Sequence, residues 1–337
     1  MKIAFAGGGS LGPVTPLLAV ARAIKRNVEN GNVDFIWFGT PDGPEKAIVE
    51  DAGIRFFPIT IAKLPRYPSM RWLSFPFDMM KARSEAREIL KKEKPDVIAS
   101  VGGFTAVPVI KEASKLGIPC AIHQLDAVMS WSNKAVERLC AVRTTSFARE
   151  GYESIPTPAR FSGLNSRPRG HGERKTILIV GGGTGSAAMN EAVASKQHEW
   201  MGLANIIHVT GKGKKGDLVE HEGYSVHELL GEEGMKRALQ EADLVISRAG
   251  IGSISDIASC SKAAILVPIP GNQQEENAKW LETAGVMVVR QGDGFAERLL
   301  QAAKEVLEDP SYYADMVHAF FETDDGSAFA KKILGLK

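Results

Sequence analysis

Two glycine turns and one amide-rich loop hold most of the residues in this chain that could do chemistry. The first turn, "AGGGSLGPVTP" at residues 6–16, spells G-x-G-x-x-G through Gly7, Gly9 and Gly12. A dinucleotide site needs an acid about 20 residues further on, at the end of the second strand, to hold a ribose diol. Here that strand, "VDFIWFG", ends in Gly39 and Thr40, and Asp42 lies beyond it in a turn. Pro13 also removes a backbone N–H where the next helix should present donors to a pyrophosphate. The turn reads against a nicotinamide cofactor.

The second turn, "VGGGTGS" at residues 180–186, suits an anion better. Gly182, Gly183 and Gly185 let the main chain approach a phosphate closely, and Thr184 and Ser186 add hydroxyl donors at a helix start. A tight strand-to-helix turn with no ligand is the alternative. Further on, "SRAGIGSISDIA" at residues 247–258 opens another helix with small residues, Ser253 among them. Asp256 there could accept hydrogen bonds from a vicinal diol, or merely complement the helix dipole. In "PIPGNQQEENAKW", Gln273, Gln274 and Asn277 both donate and accept, which suits sugar hydroxyls, though a solvated polar loop would look the same. The chain has no Asp-x-Asp, no H-E-x-x-H and no histidine pair at ligand spacing among His123, His171, His198, His208, His221, His227 and His318. No metal and no other cofactor is therefore expected, and a departing anion would rely on helix N-termini and a cation such as Arg167.

Elements must hold these residues in place. Short apolar, β-branched runs alternate with helical patterns from "KIAFAG" to "VMVVRQ", which predicts α/β architecture with doubly wound parallel sheets. Strand, glycine turn and helix occur in that order from Lys2 and again from Lys175. Between them "RFSGLNSRPRGHGERK", residues 160–175, has the Gly, Pro and Arg content of a linker. The expected division is a first domain over 1–162, a second over 163–326, and a last helix in 327–337 that could pack back on the first domain or stay with the second. With 41 Lys+Arg against 40 Asp+Glu, bulk nucleic-acid binding is not expected. Cys120, Cys140 and Cys260 are far apart and read as free thiols. No signal-like start and no run of 18 apolar residues is present, so a cytoplasmic protein is expected. One stretch, "KLPRYPSMRWLSFPFDMMKAR" at residues 63–83, sets Trp72, Leu73, Phe75 and Phe77 among Arg66, Arg71, Lys81 and Arg83. Such a stretch fits an interfacial patch on an anionic membrane surface, or a helix packed into the first domain's core.

Eight blocks in order, "GGSLGPVTPLLAVA", "GTPDGPEKAIVEDAGI", "DVIASVGGFTAVP", "LGIPCAIHQLDAVMSWSNKAVE", "VGGGTGSAAMNE", "HVTGKGK", "SRAGIGSISDIA" and "QQEENA", resemble the MurG-type N-acetylglucosaminyltransferases over nearly the full chain. The resemblance implies a GT-B fold of two Rossmann-like domains facing a cleft. It also implies inverting transfer of GlcNAc from UDP-GlcNAc to the MurNAc 4-hydroxyl of lipid I, a polyprenyl-linked acceptor, by a peripheral enzyme on the inner face of the membrane. The acceptor side would involve Gly8, Gly9, Ser10, Gly12, Gly102, Gly103 and Asn133. The donor side would involve the second glycine turn, Arg167, Leu230 near uracil, Arg248, Ser253, Asp256 at the ribose, and Gln273, Gln274 and Asn277 at the sugar.

The chain departs from that family where catalysis is expected. Pro13 stands where the family has a histidine, Gly183 replaces a serine, and the family's "HEQN" is His123-Gln124-Leu125-Asp126. A base near the acceptor hydroxyl is still required. Asp126 is the first candidate and His123 the second; Asp126 could instead cap the following helix. A UDP-sugar epimerase of the same fold and a UDP-GlcNAc-binding protein without turnover are the competing readings.

Overall fold

The computed structural model describes residues 1–9, 11–28, 32–43, 45–60, 71–164, 173–183 and 185–336. The chain divides into two compact units, one made of Met1–Arg160 with Asp324–Lys337, the other of Phe161–Thr323.

The first unit is built on β1 (Lys2–Ala6), α1 (Val14–Asn27), β2 (Asp34–Gly39), α2 (Glu45–Asp51), β3 (Arg55–Pro58), α3 (Arg71–Glu93), β4 (Val97–Ser100), α4 (Ala106–Lys115), β5 (Cys120–Gln124), α5 (Trp131–Lys134), β6 (Val142–Thr145), β7 (Glu153–Ser154) and β8 (Thr157–Pro158). The first seven strands pair in the order β3-β2-β1-β4-β5-β6-β7, all parallel. Strands β4 and β5 are buried along their whole length, which is why they read as continuous apolar runs rather than alternating ones. Chain progression reverses between β1 and β4. Loops leaving those two strands diverge there and open a crevice at the carboxyl edge of the sheet.

The second unit repeats the plan with β9 (Thr176–Val180), α6 (Ala187–Ala194), α7 (Gln197–Leu203), β10 (Asn205–Val209), β11 (Tyr224–His227), α8 (Glu232–Glu241), β12 (Leu244–Ser247), α9 (Ile251–Ser259), β13 (Ala263–Leu266), α10 (Gln273–Glu282), β14 (Met287–Val288), α11 (Phe295–Glu308) and α12 (Pro310–Phe320). Its parallel order, β11-β10-β9-β12-β13-β14, reverses between β9 and β12. The core is layered between sheet and helices: Ile177, Ile179, Leu244, Ile246 and Ile265 from the strands meet Met189, Trp200, Leu299 and Val306 from the helices.

The chain then runs through β15 (Thr323–Asp324), which pairs with β8, to α13 (Ser327–Leu334). The last helix packs on α1 in the first unit, and the turn that starts it shows why. Gly326 has φ +90°, and a Cβ there would lie 2.7 Å from the Val20 backbone nitrogen, so only glycine lets the two helices approach. Phe329 follows one turn later, fully buried, with its ring centroid 5.5 Å from that of His123.

Among the described residues each unit fully buries one histidine. His123 on β5 is fully buried between the hydroxyls of Thr144 and Ser146, both 3.0 Å from its ring nitrogens, and burial pushes its pKa down to about 3. His208 on β10 contacts Tyr224 Oη at 2.9 Å and Asn190 Oδ1 at 3.0 Å, and burial lowers it to about 4. The unfolded chain takes up a proton at each below the ordinary value of 6.5, whereas the folded chain does not. Stability is thus complete above that value and is lost as pH falls toward the folded values. Urea unfolding between pH 7 and 5 is expected to show this loss, at most about 1.4 kcal/mol per pH unit for each ring. His208→Gln should flatten the slope.

Candidate functional site

Both crevices are built from loops at strand ends, and each is stitched across its reversal by hydrogen bonds. In the first unit the Ser100 hydroxyl donates to the Ala6 carbonyl at 2.6 Å, tying β4 to β1. Gly102 and Gly103 follow with φ +108° and +97°, and a Cβ on Gly103 would sit 3.4 Å from the Gly8 carbonyl oxygen. Gly8 and Gly103 therefore lie against each other; Gly8 and Gly102 are buried, Gly103 is half-buried, and Gly9 and Gly12 are exposed. Ser10 lies outside the described residues.

This crevice is poorly suited to a pyrophosphate. Pro13 and Pro16 have no N–H, and the amides of Val14 and Thr15 both donate to the Leu11 carbonyl. The start of α1 thus spends its donors internally, and the reading against a nicotinamide cofactor gains a structural reason.

One residue that sequence reasoning missed organises the glycine turn. Glu45, the first residue of α2, is fully buried, and its Oε1 accepts from Gly9 N at 3.1 Å, Thr40 N at 2.7 Å and Thr40 Oγ1 at 2.5 Å. The signal was present in the block "GTPDGPEKAIVEDAGI", but nothing in its spacing says that the acid folds back under the turn. Among the described residues, Glu45 Oε2, Thr105 Oγ1 and Asn133 Oδ1 are buried polar atoms of this unit without a protein partner. Asn133 donates to Gln124 Oε1 at 2.8 Å, while its Oδ1 lies 3.5 Å from where a Cβ on Gly102 would be. A buried carbonyl oxygen left open beside a glycine is a place for a hydroxyl.

The two base candidates separate clearly. His123 points into the core, with both ring nitrogens engaged and no exposure, so the expectation that it could take a proton from a substrate is corrected. Asp126 is half-buried in the loop after β5. It does not cap the next helix: Ser130 is the N-cap of α5, its hydroxyl accepting from Asn133 N at 3.2 Å.

In the second unit the stitch is a buried arginine. Arg248, at the end of β12, donates from Nη2 to Ser186 Oγ at 2.6 Å and from Nη1 to the carbonyls of Val267 and Pro268, each at 3.3 Å. Ser186 is itself the N-cap of α6, accepting from Met189 N at 3.2 Å. One guanidinium thus joins the second glycine turn to the ends of β12 and β13, and burial lowers its pKa from the usual value. The expectation of direct donor contact is corrected to that of a buried cation beneath the turn. Asn277 is corrected likewise: fully buried, it donates from Nδ2 to the Ala249 carbonyl at 3.1 Å and so holds the loop before α9.

The remaining residues stand around this frame. Gln274 accepts from Ile269 N at 3.2 Å, and its Nε2 lies 3.6 Å from where a Cβ on Gly250 would be. Gln273 is exposed at the start of α10, Ser253 is half-buried in the first turn of α9, and Asp256 is buried in its second turn. The Ser253 and Ile254 amides both donate to the Gly250 carbonyl at 3.0 Å, which leaves those of Ile251 and Gly252 as the helix-start donors of α9. Leu230, half-buried after β11, packs on Gly234 at the start of α8. Gly182, Gly183 and Gly185 line the turn; Arg167 and Thr184 lie outside the described residues.

Comparisons with known proteins agree with this layout. Residues 3–142 match the glycosyltransferase family 28 N-terminal domain, and residues 176–332 match its C-terminal domain. The chain is 33% identical over 332 residues to the UDP-N-acetylglucosamine--N-acetylmuramyl-(pentapeptide) pyrophosphoryl-undecaprenol N-acetylglucosamine transferase of Clostridium perfringens, covering 93% of this chain and 92% of that one. The chain belongs to glycosyltransferase family 28. Its Clostridium botulinum member of the same name is 36% identical over 284 residues, 80% and 78% of the two chains. The crystal structure of Acinetobacter baumannii MurG superimposes with a TM-score of 0.75 at 25% identity, covering 99% of each chain. The fold is GT-B, as the sequence led us to expect.

Within this family 28 chain the second glycine turn separates two kinds of glycine. Gly182 has φ +77° with open space at its Cβ position, so Gly182→Ala should cost only the left-handed strain, about 1–2 kcal/mol. Gly185 has φ +70° and a Cβ there would fall on the Thr210 carbonyl, 2.7 Å from Gly211 Cα. Gly185→Ala is expected to cost about 2 kcal/mol more than Gly182→Ala in denaturant unfolding.

Proposed function

We propose that this chain transfers GlcNAc with inversion from UDP-GlcNAc to the MurNAc 4-hydroxyl of a pentapeptide-bearing, diphosphate-linked polyprenol, making lipid II from lipid I. The observation that carries this reading is likeness across the whole chain, 93% of it, to a transferase whose name specifies that donor and that acceptor. The first crevice supports it with partnerless oxygens suited to hydroxyls, and the second with amide donors suited to a diphosphate.

In this reading Asp126 takes the proton from the acceptor hydroxyl as that oxygen attacks the anomeric carbon. The bond to UDP breaks, and its electron pair goes to the β-phosphate oxygen. Amides at the starts of α6 and α9 stabilise the charge, with Arg248 beneath them and Arg167 as a further cation. Asp256 accepts from the ribose diol, Leu230 lies by uracil, and Gln273 and Gln274 meet the sugar. No resident metal is assigned a role.

UDP release from UDP-GlcNAc, followed with and without a lipid I analogue, separates the readings. Release that needs the acceptor is expected, and Asp126→Asn should slow it about 100-fold or more. Release without acceptor would favour an epimerase, and tight binding without release a binding protein; near-normal turnover by Asp126→Asn removes that residue from the mechanism.

The acceptor is a lipid, so the enzyme meets it at a membrane surface, and association on the inner face is part of the proposal. No helix among the described residues is long and apolar enough to cross a membrane. On α3, Phe77 is 73% exposed and Met80 69%, while Phe75 contacts the half-exposed Trp131 edge-on at 6.5 Å. Met79 packs against the core, and Arg83 is bonded to Glu112, so only part of the expected patch faces outward. The side chains of Trp72 and Leu73 lie outside the described residues. Phe77→Ser with Met80→Ser is expected to reduce co-sedimentation with anionic vesicles while leaving UDP-GlcNAc binding intact; unchanged sedimentation would count against the patch.

A further inference from the structure

The loop from β5 to α5 has little regular structure, yet side chains hold three successive carbonyls of it. Gln124 Nε2 donates to the carbonyls of Asp126 and Val128, both at 2.9 Å. Arg149 Nη2 donates to the carbonyl between them, that of Ala127, at 3.0 Å. On its other face, Gln124 Oε1 accepts from Asn133 Nδ2 at 2.8 Å and Ser130 N at 3.2 Å. Gln124 is 1% exposed, so these four bonds are made away from competing water.

We propose that Gln124 is a positioning residue that fixes the backbone carrying Asp126, and that the amide here and the acid two residues later work as one unit. The inference rests on the reading of Asp126 as the base. Only an amide meets the geometry: two N–H groups must reach two carbonyls while the oxygen accepts from two donors. A carboxylate in the same place has nothing to donate and would set its charge against both carbonyls, expelling the loop. Here the charge sits on the loop, and the amide beneath it holds the loop in shape.

The test is a cycle of wild type, Gln124→Glu, Asp126→Asn and the double variant, with kcat and the KM for UDP-GlcNAc measured separately. Gln124→Glu is expected to lower kcat by about 10-fold or more while KM for the donor stays within about 2-fold, because misplacing the base affects only the chemical step. In the Asp126→Asn background the same change should lower kcat no further. Equal losses in both backgrounds, or normal kcat for Gln124→Glu while Asp126→Asn is slow, overturn the positioning role and leave the base reading standing. Normal turnover by Asp126→Asn overturns the base reading itself, and this inference with it. Should Gln124→Glu fail to fold, as judged by its thermal midpoint and its UDP-GlcNAc binding, Gln124→Met takes its place with the same outcomes.

Discussion

A parallel sheet whose strand order reverses has one place where two neighbouring loops leave in opposite directions, and the candidate site of each unit is built beside such a gap. Water-filled gaps at strand ends tend to collapse unless polar groups hold their walls. In the first unit the hydroxyl of Ser100 and the buried carboxylate of Glu45 do this. In the second, Arg248 does it with Asn277, its two Nη groups held by a hydroxyl and two carbonyls rather than by an acid while its Nε is buried without a protein partner. A guanidinium without a carboxylate keeps its positive potential, which is what a site for a doubly charged leaving group needs.

The two crevices differ in the residues at their helix starts. At α1 two prolines and two internally bonded amides leave little to attract an anion. At α6 a serine caps the first turn by accepting from Met189 N, and at α9, which has no proline, the Ser253 and Ile254 amides donate to the Gly250 carbonyl much as those of α1 donate to Leu11. The same strand-turn-helix plan thus occurs twice with different residues at the turn, two prolines in the first copy and a serine cap in the second.

The alternation of apolar runs made both sheets legible from the sequence, because parallel strands buried on both faces have no other pattern. The glycine turns were legible for a similar reason, since few other residues tolerate their backbone. What was not legible depends on which strand lies beside which. His123 looked like a candidate base until β6 and the residue after it supplied Thr144 and Ser146 and α13 supplied Phe329. Asn277 looked like a sugar ligand until the α9 loop claimed its amide. Glu45 and Gln124 carried no local sign of their roles, since their partners lie across a turn or a loop whose path the sequence does not state. The packing of α13 was open because an amphipathic helix fits any apolar surface; Gly326 against Val20 decided it.

That last helix gives the first unit a broken chain, begun by residues 1–160 and completed only by the final segment. During synthesis the sheet of the first unit must wait, with the face of α1 and one side of His123 bare, until residues 324–336 have left the ribosome. Loss of α13 would therefore damage a unit whose first segment, residues 1–160, lies more than 160 positions earlier, and a nascent chain stalled before it would present an unfinished apolar surface to chaperones and proteases.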